Sequence, residues 1–302
     1  MTIAGKIGKH RPIGARAVAL LALILAFAAP QASFAKVEVP PDSRLANIAK
    51  TKTLKLGYRP DARPFSFVNP AQMPTGFTVD LCLLVAKSIE TQLGLDVLRI
   101  EWVSVNSQSR FSAVASGRAD MECGASTVTL SRMNEVDFSN YVFLETTGLL
   151  VAKNSNIRAF SDLAGKRIAV IAGTTNERAI LDQIKLRKIE TTVFSVKDNT
   201  EAIAMLESGG ADGFASDKLL LIGAPVKDRN ALVMLPDDLS IEPYAIVLPR
   251  GDWALRLMVN TALSEIYRDG RVATVFKNWF ERVGLQMTPA LRVLYGLGAL
   301  SN

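Results

Sequence analysis

Short apolar runs and amphipathic segments take turns along the chain from about residue 53 to residue 248. TLKLG (53–57), VLRIEWV (97–103), ADMEC (119–123), RIAVI (167–171), TTVFSV (191–196), ADGFAS (211–216) and YAIVL (244–248) read as strands. Between them, TVDLCLLVAKSIETQL, NSQSRFSAVASG, TNERAILDQIKL and NTEAIAMLESGG carry apolar residues at helical spacing. Connections are short, so the alternation predicts an α/β layer structure.

Two passages echo each other at a distance of 92 residues, from Gly117 to Gly209. RFSAVASGRADMEC closes a helix at Ser116-Gly117 and starts a strand at Ala119-Asp120; EAIAMLESGGADGFAS does the same at Ser208-Gly209 and Ala211-Asp212. Each glycine is placed to supply a left-handed helix cap. A weaker echo links TLKLGYR with IAVIAGTT. Repetition in the same order predicts two similar lobes whose strands end in polar loops, with a cleft between them.

Residues 1–35 read as an export leader: Lys6, Lys9, Arg11 and Arg16, then the apolar AVALLALILAFAA, then Ser33-Phe34-Ala35 as a cleavage site. The apolar run falls short of the about 20 residues that a membrane span needs. Removing the leader takes four of the 35 basic residues and none of the 29 acidic ones, so the net charge drops from +6 to +2. A nucleic-acid partner thereby loses its main support. His10, the one histidine, leaves too. Histidine-dependent nucleophiles and histidine-ligated metals are excluded, and neither a cofactor nor a metal site is expected. Cys82 and Cys123 remain, as a disulfide in an oxidising compartment or as two buried thiols; spacing does not decide.

The strand ends gather Arg59, Ser107, Arg110, Ser126, Thr127, Arg132, Gly173-Thr174-Thr175, Asn199 and Asp217. Arg132 can grip a carboxylate with two parallel charge-assisted hydrogen bonds. Thr127 and Thr175 are expected to precede helical turns, whose free N–H groups favour negative charge. Asp217 suits an ammonium group. Taken singly these are a surface arginine, a turn and a helix cap; together they describe a receptor for an amino-acid main chain.

The same residues resemble the periplasmic solute-binding protein family 3, nearest to its glutamate/aspartate-binding members from amino-acid ABC importers. LANIAKTKTLKLGYR, PFSF, GFTVDLC, SQSRFSAVASGRADMECGASTVTLSR, FSDLAGKRIAVIAGTTNE, SVKDN, LESG, SD and NWF carry the likeness, from about Arg44 to Gly284. The resemblance implies an α/β two-lobe periplasmic binding protein fold of type II, with two crossover strands as a hinge. Lobe 1 would comprise residues 36–144 plus 244–302 and lobe 2 residues 145–243. It implies a non-enzymatic, monomeric periplasmic receptor that delivers its ligand to a membrane permease. Arg132, Thr127 and Thr175 would hold the α-carboxylate, Asp217 and the Ala125 carbonyl the ammonium, and Arg59, Ser107 and Arg110 an acidic side chain.

Two positions depart from the acidic-amino-acid pattern: Ala125 stands where that pattern has serine, and Asn199 where it has histidine. Glutamate or aspartate is the first expectation, and glutamine or asparagine the alternative that Asn199 admits. A cyclohexadienyl dehydratase on the same fold, with Glu177 as acid or base, is a further alternative. The tail LQMTPALRVLYGLGALSN is mildly apolar and too short to span a membrane. Phe65 and Phe67 are expected to pack near the entrance of the first lobe.

Overall fold

The computed structural model describes residues 39–301, with Met1, Thr2 and Gly5, so the expected leader lies almost wholly outside the described residues. Among these residues the strands are β1 (Thr53–Tyr58), β2 (Asp61–Ala62), β3 (Ser66–Val68), β4 (Pro74–Thr75), β5 (Arg99–Ser104), β6 (Met121–Glu122), β7 (Val136–Ala152), β8 (Arg167–Ile171), β9 (Thr192–Val196), β10 (Gly213–Asp217), β11 (Leu232–Met234) and β12 (Ile241–Pro249). The helices are α1 (Arg44–Thr51), α2 (Phe77–Gln92), α3 (Arg110–Ala115), α4 (Thr175–Arg187), α5 (Asn199–Glu207), α6 (Lys218–Gly223), α7 (Trp253–Arg268), α8 (Arg271–Trp279) and α9 (Pro289–Gly298).

The main sheet runs β5-β1-β6-β12-β7-β10-β8-β9, with β11 also on β7. At one end β1 lies parallel to β5 and β6; at the other β8 lies parallel to β9 and β10. The antiparallel strands β12 and β7 join these two parallel groups. β7 changes partner midway: Thr146 is its last pairing with β12, at Ile241, and Thr147 begins its pairing with β10, at Asp217. Strand β7 thus pairs with both groups, while β12 pairs only with β6 and β7.

The repeated passages are superposable in their hydrogen bonds as well as in sequence. Gly117 and Gly209 both take positive φ, 80° and 73°. Ala119 N–H donates to Ala113 O at 2.9 Å and Ala211 N–H to Met205 O at 3.0 Å. Asp120 Oδ2 accepts from Lys55 N–H, and Asp212 Oδ2 from Arg167 N–H, each at 2.8 Å. Each aspartate therefore ties its strand to the first strand of its own lobe. The echo reflects one packing solution used twice.

Strand β7 escapes the periodicity reading because Ser139-Asn140 and Glu145-Thr146-Thr147-Gly148 interrupt its apolar positions. Those interruptions sit where pairing shifts, so one 17-residue strand reads as fragments. ADMEC contributes only Met121–Glu122, a strand pinned between β1 and β12. The tail forms α9, which buries Leu291 and Tyr295 and donates from Tyr295 Oη to Val142 O at 3.0 Å.

Phe65 packs edge-on against Phe143, with ring centroids 4.9 Å apart, and against Tyr244, at 5.1 Å. It is fully buried in the core of the first lobe, and Phe67 is nearly so. Both apolar faces of the second lobe's sheet are covered, one around Phe160 and Ile180, the other around Phe214 and Leu206.

Cys82 and Cys123 form a disulfide with Cα atoms 6.3 Å apart. It fastens α2 to the end of β6, where the ASTVTLSR segment begins. The 41-residue separation corresponds in the chain-entropy picture to roughly 4 kcal/mol. Replacing both cysteines by alanine should lower the unfolding free energy by about that amount in urea titrations; a change under about 1 kcal/mol would show that the cross-link contributes little.

Candidate ligand-binding site

Within each lobe the strands β1, β5 and β6, or β8, β9 and β10, run in one direction, so their carboxyl ends collect on one side. There the chain places Arg59 after β1, Ser107 and Arg110 after β5, Ala125 to Arg132 after β6, Thr175 after β8, Asn199 after β9 and Asp217 at the end of β10.

At their centre lies a carboxylate from β12. Glu242, 1% exposed, accepts at Oε2 from Thr127 Oγ1 at 2.7 Å and from Thr175 Oγ1 at 2.5 Å. Its Oε1 accepts from Thr147 Oγ1 at 3.2 Å and from the Ser240 hydroxyl. The two threonine oxygens are 3.3 Å apart. Thr127 belongs to the first lobe and Thr175 to the second, so Glu242 joins them. A hydroxyl has a single proton. While those protons are on Glu242, the donors left for a ligand carboxylate are Arg132 and the N–H groups opening α4.

Arg132 is half-buried, donates from Nη1 to Thr127 O at 2.7 Å and lies over the Phe111 ring at 4.8 Å. Burial lowers its guanidinium from the ordinary value, against the pull of Glu242 and Asp217. Thr175 opens α4, capped by Thr174, as the sequence implies. Thr127 does not directly precede a helical turn: it bridges to Tyr244, and the next helical segment is the 3-10 turn Arg132–Asn134. Pairing with β12 takes it into the sheet.

Asp217 holds the cap position of α6, yet its side chain makes no cap hydrogen bond. Instead Oδ1 accepts from Asn176 Nδ2 at 2.7 Å, and Oδ2 accepts from the Tyr244 hydroxyl. Burial, then the nearby Glu242, raises this carboxyl to about 6. A buried carboxylate so placed gains most from a cationic partner. The Ala125 carbonyl accepts from Arg110 Nη1 at 3.4 Å.

The remaining cations are differently placed. Arg59 is bound to Asp61 in a two-pronged ion pair, Nε to Oδ1 at 3.0 Å and Nη2 to Oδ2 at 2.8 Å. Burial alone would lower the Arg59 guanidinium, but Asp61 takes it above its ordinary value, and Arg59 holds the Asp61 carboxyl below its own. Asn199 Nδ2 reaches across from the second lobe to Asp61 O at 3.0 Å and to Asp61 Oδ2 at 3.2 Å. Arg110 is pushed down to about 9 by burial and by Arg132 and Arg59. Glu122 is raised by burial, against the pull of the Arg110 charge, and accepts at Oε2 from Ser126 Oγ at 2.8 Å. Ser107 Oγ, Arg110 Nε, Glu122 Oε1 and Asn199 Oδ1 are buried without a hydrogen-bond partner.

Contacts therefore link Asn199–Asp61–Arg59, Arg110–Ala125, and Arg132–Thr127–Glu242–Thr175, while Thr147 and Asn176 connect this last group to Asp217. A cavity of about 670 Å³ flanks the Asp61–Asn199 contact, bounded also by Arg63, Phe67 and Gly223; Glu242 and Asp217 lie outside it. Glu177 accepts from Gly173 N–H at 2.8 Å and from the Ser195 hydroxyl, so its carboxylate secures the turn into α4. Asp61, Glu242, Tyr244 and Asn176 were not legible as site residues. Asp61 drew no reading from the sequence, and Glu242 only neighboured the expected lobe boundary at 243/244.

Two α/β lobes in contact across a junction lined by arginine, hydroxyl and carboxylate groups define a small-solute receptor of the binding-protein class. The profile of bacterial extracellular solute-binding proteins, family 3, matches residues 54–282, and the chain belongs to that family. It is 35% identical over 244 residues to the L-glutamate/L-aspartate-binding protein of Pseudomonas aeruginosa, covering 78% of this chain and 79% of that one. It is 29% identical to the ABC transporter glutamine-binding protein of Bacillus subtilis, covering 78% of this chain and 84% of that one. Among solved structures, the ancestral amino acid-binding protein that is a precursor of cyclohexadienyl dehydratase superposes with a TM-score of 0.69 at 28% identity, covering 78% of this chain and 99% of that one.

Glu145 stands directly opposite Glu242 on the paired strands, and burial, followed by the charge of Asp217, raises it from 4.5 to about 8. A carboxyl raised on folding is protonated more readily in the folded chain, so its contribution to stability is lost as pH rises from about 4.5 through about 8. Glu145→Gln removes that loss. Urea titrations should show the variant gaining about 1–2 kcal/mol more over the parent at pH 8 than at pH 5; equal differences at the two values would contradict the assignment.

Proposed function

We propose that the chain is the periplasmic receptor of an amino-acid ABC importer, capturing an α-amino acid of the glutamate, aspartate, glutamine and asparagine group between its lobes. The observation that carries the reading is the juxtaposition of Arg132 with a buried, non-capping Asp217 across the Thr127–Glu242–Thr175 contact. Arg132 and the start of α4 take the α-carboxylate, and Asp217 takes the ammonium with the Ala125 carbonyl beside it. Arg59, Ser107, Arg110 and Asn199 surround the side chain. The names of the relatives in Pseudomonas aeruginosa and Bacillus subtilis support the ligand group, one acidic and one amide.

Residues 36–144 with 244–302 form the lobe that captures ligand, and residues 145–243 the lobe that closes on it, bending where β7 and β12 cross. The closed monomer is what the membrane permease recognises. Residues 1–35 direct export and are removed. No helix among the described residues is long and apolar enough to cross a membrane. The protein is a receptor without turnover: Glu177, the one acid considered for catalysis, is committed to the Gly173 turn.

Calorimetry on ligand-stripped protein with all twenty amino acids tests this. A dissociation constant near 1 μM, about 8 kcal/mol, is expected for at least one of the four, and binding to none of them would refute the proposal. Arg132→Ala should weaken every amino acid by at least about 100-fold, near 3 kcal/mol. Incubation with prephenate or arogenate should yield no aromatic product; turnover at a catalytic rate would make the chain an enzyme.

A further inference from the structure

One cation at the side-chain end of the cleft is already committed. Arg59, 2% exposed, spends its Nε and Nη2 donors on Asp61. Arg110, 3% exposed, donates from Nη1 to the Ala125 carbonyl and makes no ion pair with a carboxylate of the described residues. A ligand carboxylate would arrive beside the Asp61 carboxylate, with Arg59 already held by it, and like charges brought together in a buried site are costly.

The buried atoms still lacking partners say what would fit. Arg110 Nε is a donor, Ser107 Oγ can donate or accept, and Asn199 Oδ1 and Glu122 Oε1 are acceptors. The orientation of Asn199 is set by the pair of contacts that its Nδ2 makes with Asp61, at 3.0 and 3.2 Å. An Asn199 turned the other way would aim its oxygen at two Asp61 oxygens. With Asp61 present, Asn199 therefore offers an acceptor. A ligand carboxylate, which has only acceptors, is repelled by that oxygen. A carboxamide has an oxygen for Arg110 or Ser107 and an NH2 for Asn199.

We propose that Asp61 is a specificity-determining residue: by holding Arg59 in an ion pair and orienting Asn199, it makes the side-chain subsite complementary to a carboxamide, so that glutamine or asparagine binds in preference to glutamate or aspartate. The inference rests on the amino-acid receptor function proposed above. Asp61 acts through its two neighbours, one from each lobe, and so couples ligand choice to closure.

The test is calorimetry with glutamine, asparagine, glutamate and aspartate on ligand-stripped protein and on Asp61→Asn and Asp61→Ser. The parent should bind its best amide at least tenfold tighter than its best acid. Either substitution should free Arg59 and move the ratio tenfold or more toward the acids. An acid bound tighter by the parent overturns the proposal, as does a ratio unchanged in a folded variant. The parent's own ratio decides if neither variant folds. Binding of none of the four is a different result: it removes the receptor function itself, and the inference with it.

Discussion

A buried carboxylate needs donors from wherever the chain can supply them, and Glu242 draws its donors from both lobes. Thr127 comes from the segment after β6, Thr175 from the start of α4, Thr147 from β7 and Ser240 from the approach to β12. The residue stands beside the point where β7 exchanges β12 for β10. The shared strand and the shared hydrogen bonds therefore meet at one place. Thr175, Thr147 and Ser240 reach both carboxylate oxygens from the second lobe's side, and Thr127 adds the first lobe's contact at Oε2.

Around that point the charges are arranged in sequence. Asp217 is a buried carboxyl raised to about 6, Arg132 a half-buried guanidinium, and Arg59 is held by Asp61 in a two-pronged ion pair. In the proposed receptor the part common to all amino acids would meet Arg132 and Asp217, which supply affinity, and the part that differs would meet the Arg59–Asp61 pair and the oriented Asn199, which discriminate. Glu145, paired with Glu242 in strand register, is raised to about 8 by burial and by the charge of Asp217.

Much of this fold was legible from periodicity, because each lobe repeats one helix, glycine cap and strand. The Asp120 and Asp212 bonds to neighbouring strand N–H groups fix the same geometry in both places. Strand β7 was not legible: a strand that serves two lobes carries polar residues where it changes partner, and alternation breaks there. Among the polar residues, those at strand ends could be listed because topology brings strand ends together. Asp61 and Glu242 could not, since their importance comes from contacts spanning 138 and 115 residues of sequence, made through Asn199 and Thr127 respectively. Phe111, which lies under both Arg110 and Arg132, was likewise invisible outside three dimensions.

The central claim is that one amino acid is held by both lobes at the Thr127–Glu242–Thr175 contact. Hydrogen–deuterium exchange of the backbone amides in residues 125–132 and 173–177, with and without saturating glutamine or glutamate, addresses it most directly. The account predicts that ligand slows exchange in both segments together. Slowing confined to one of them, or to neither while ligand is bound, would contradict it.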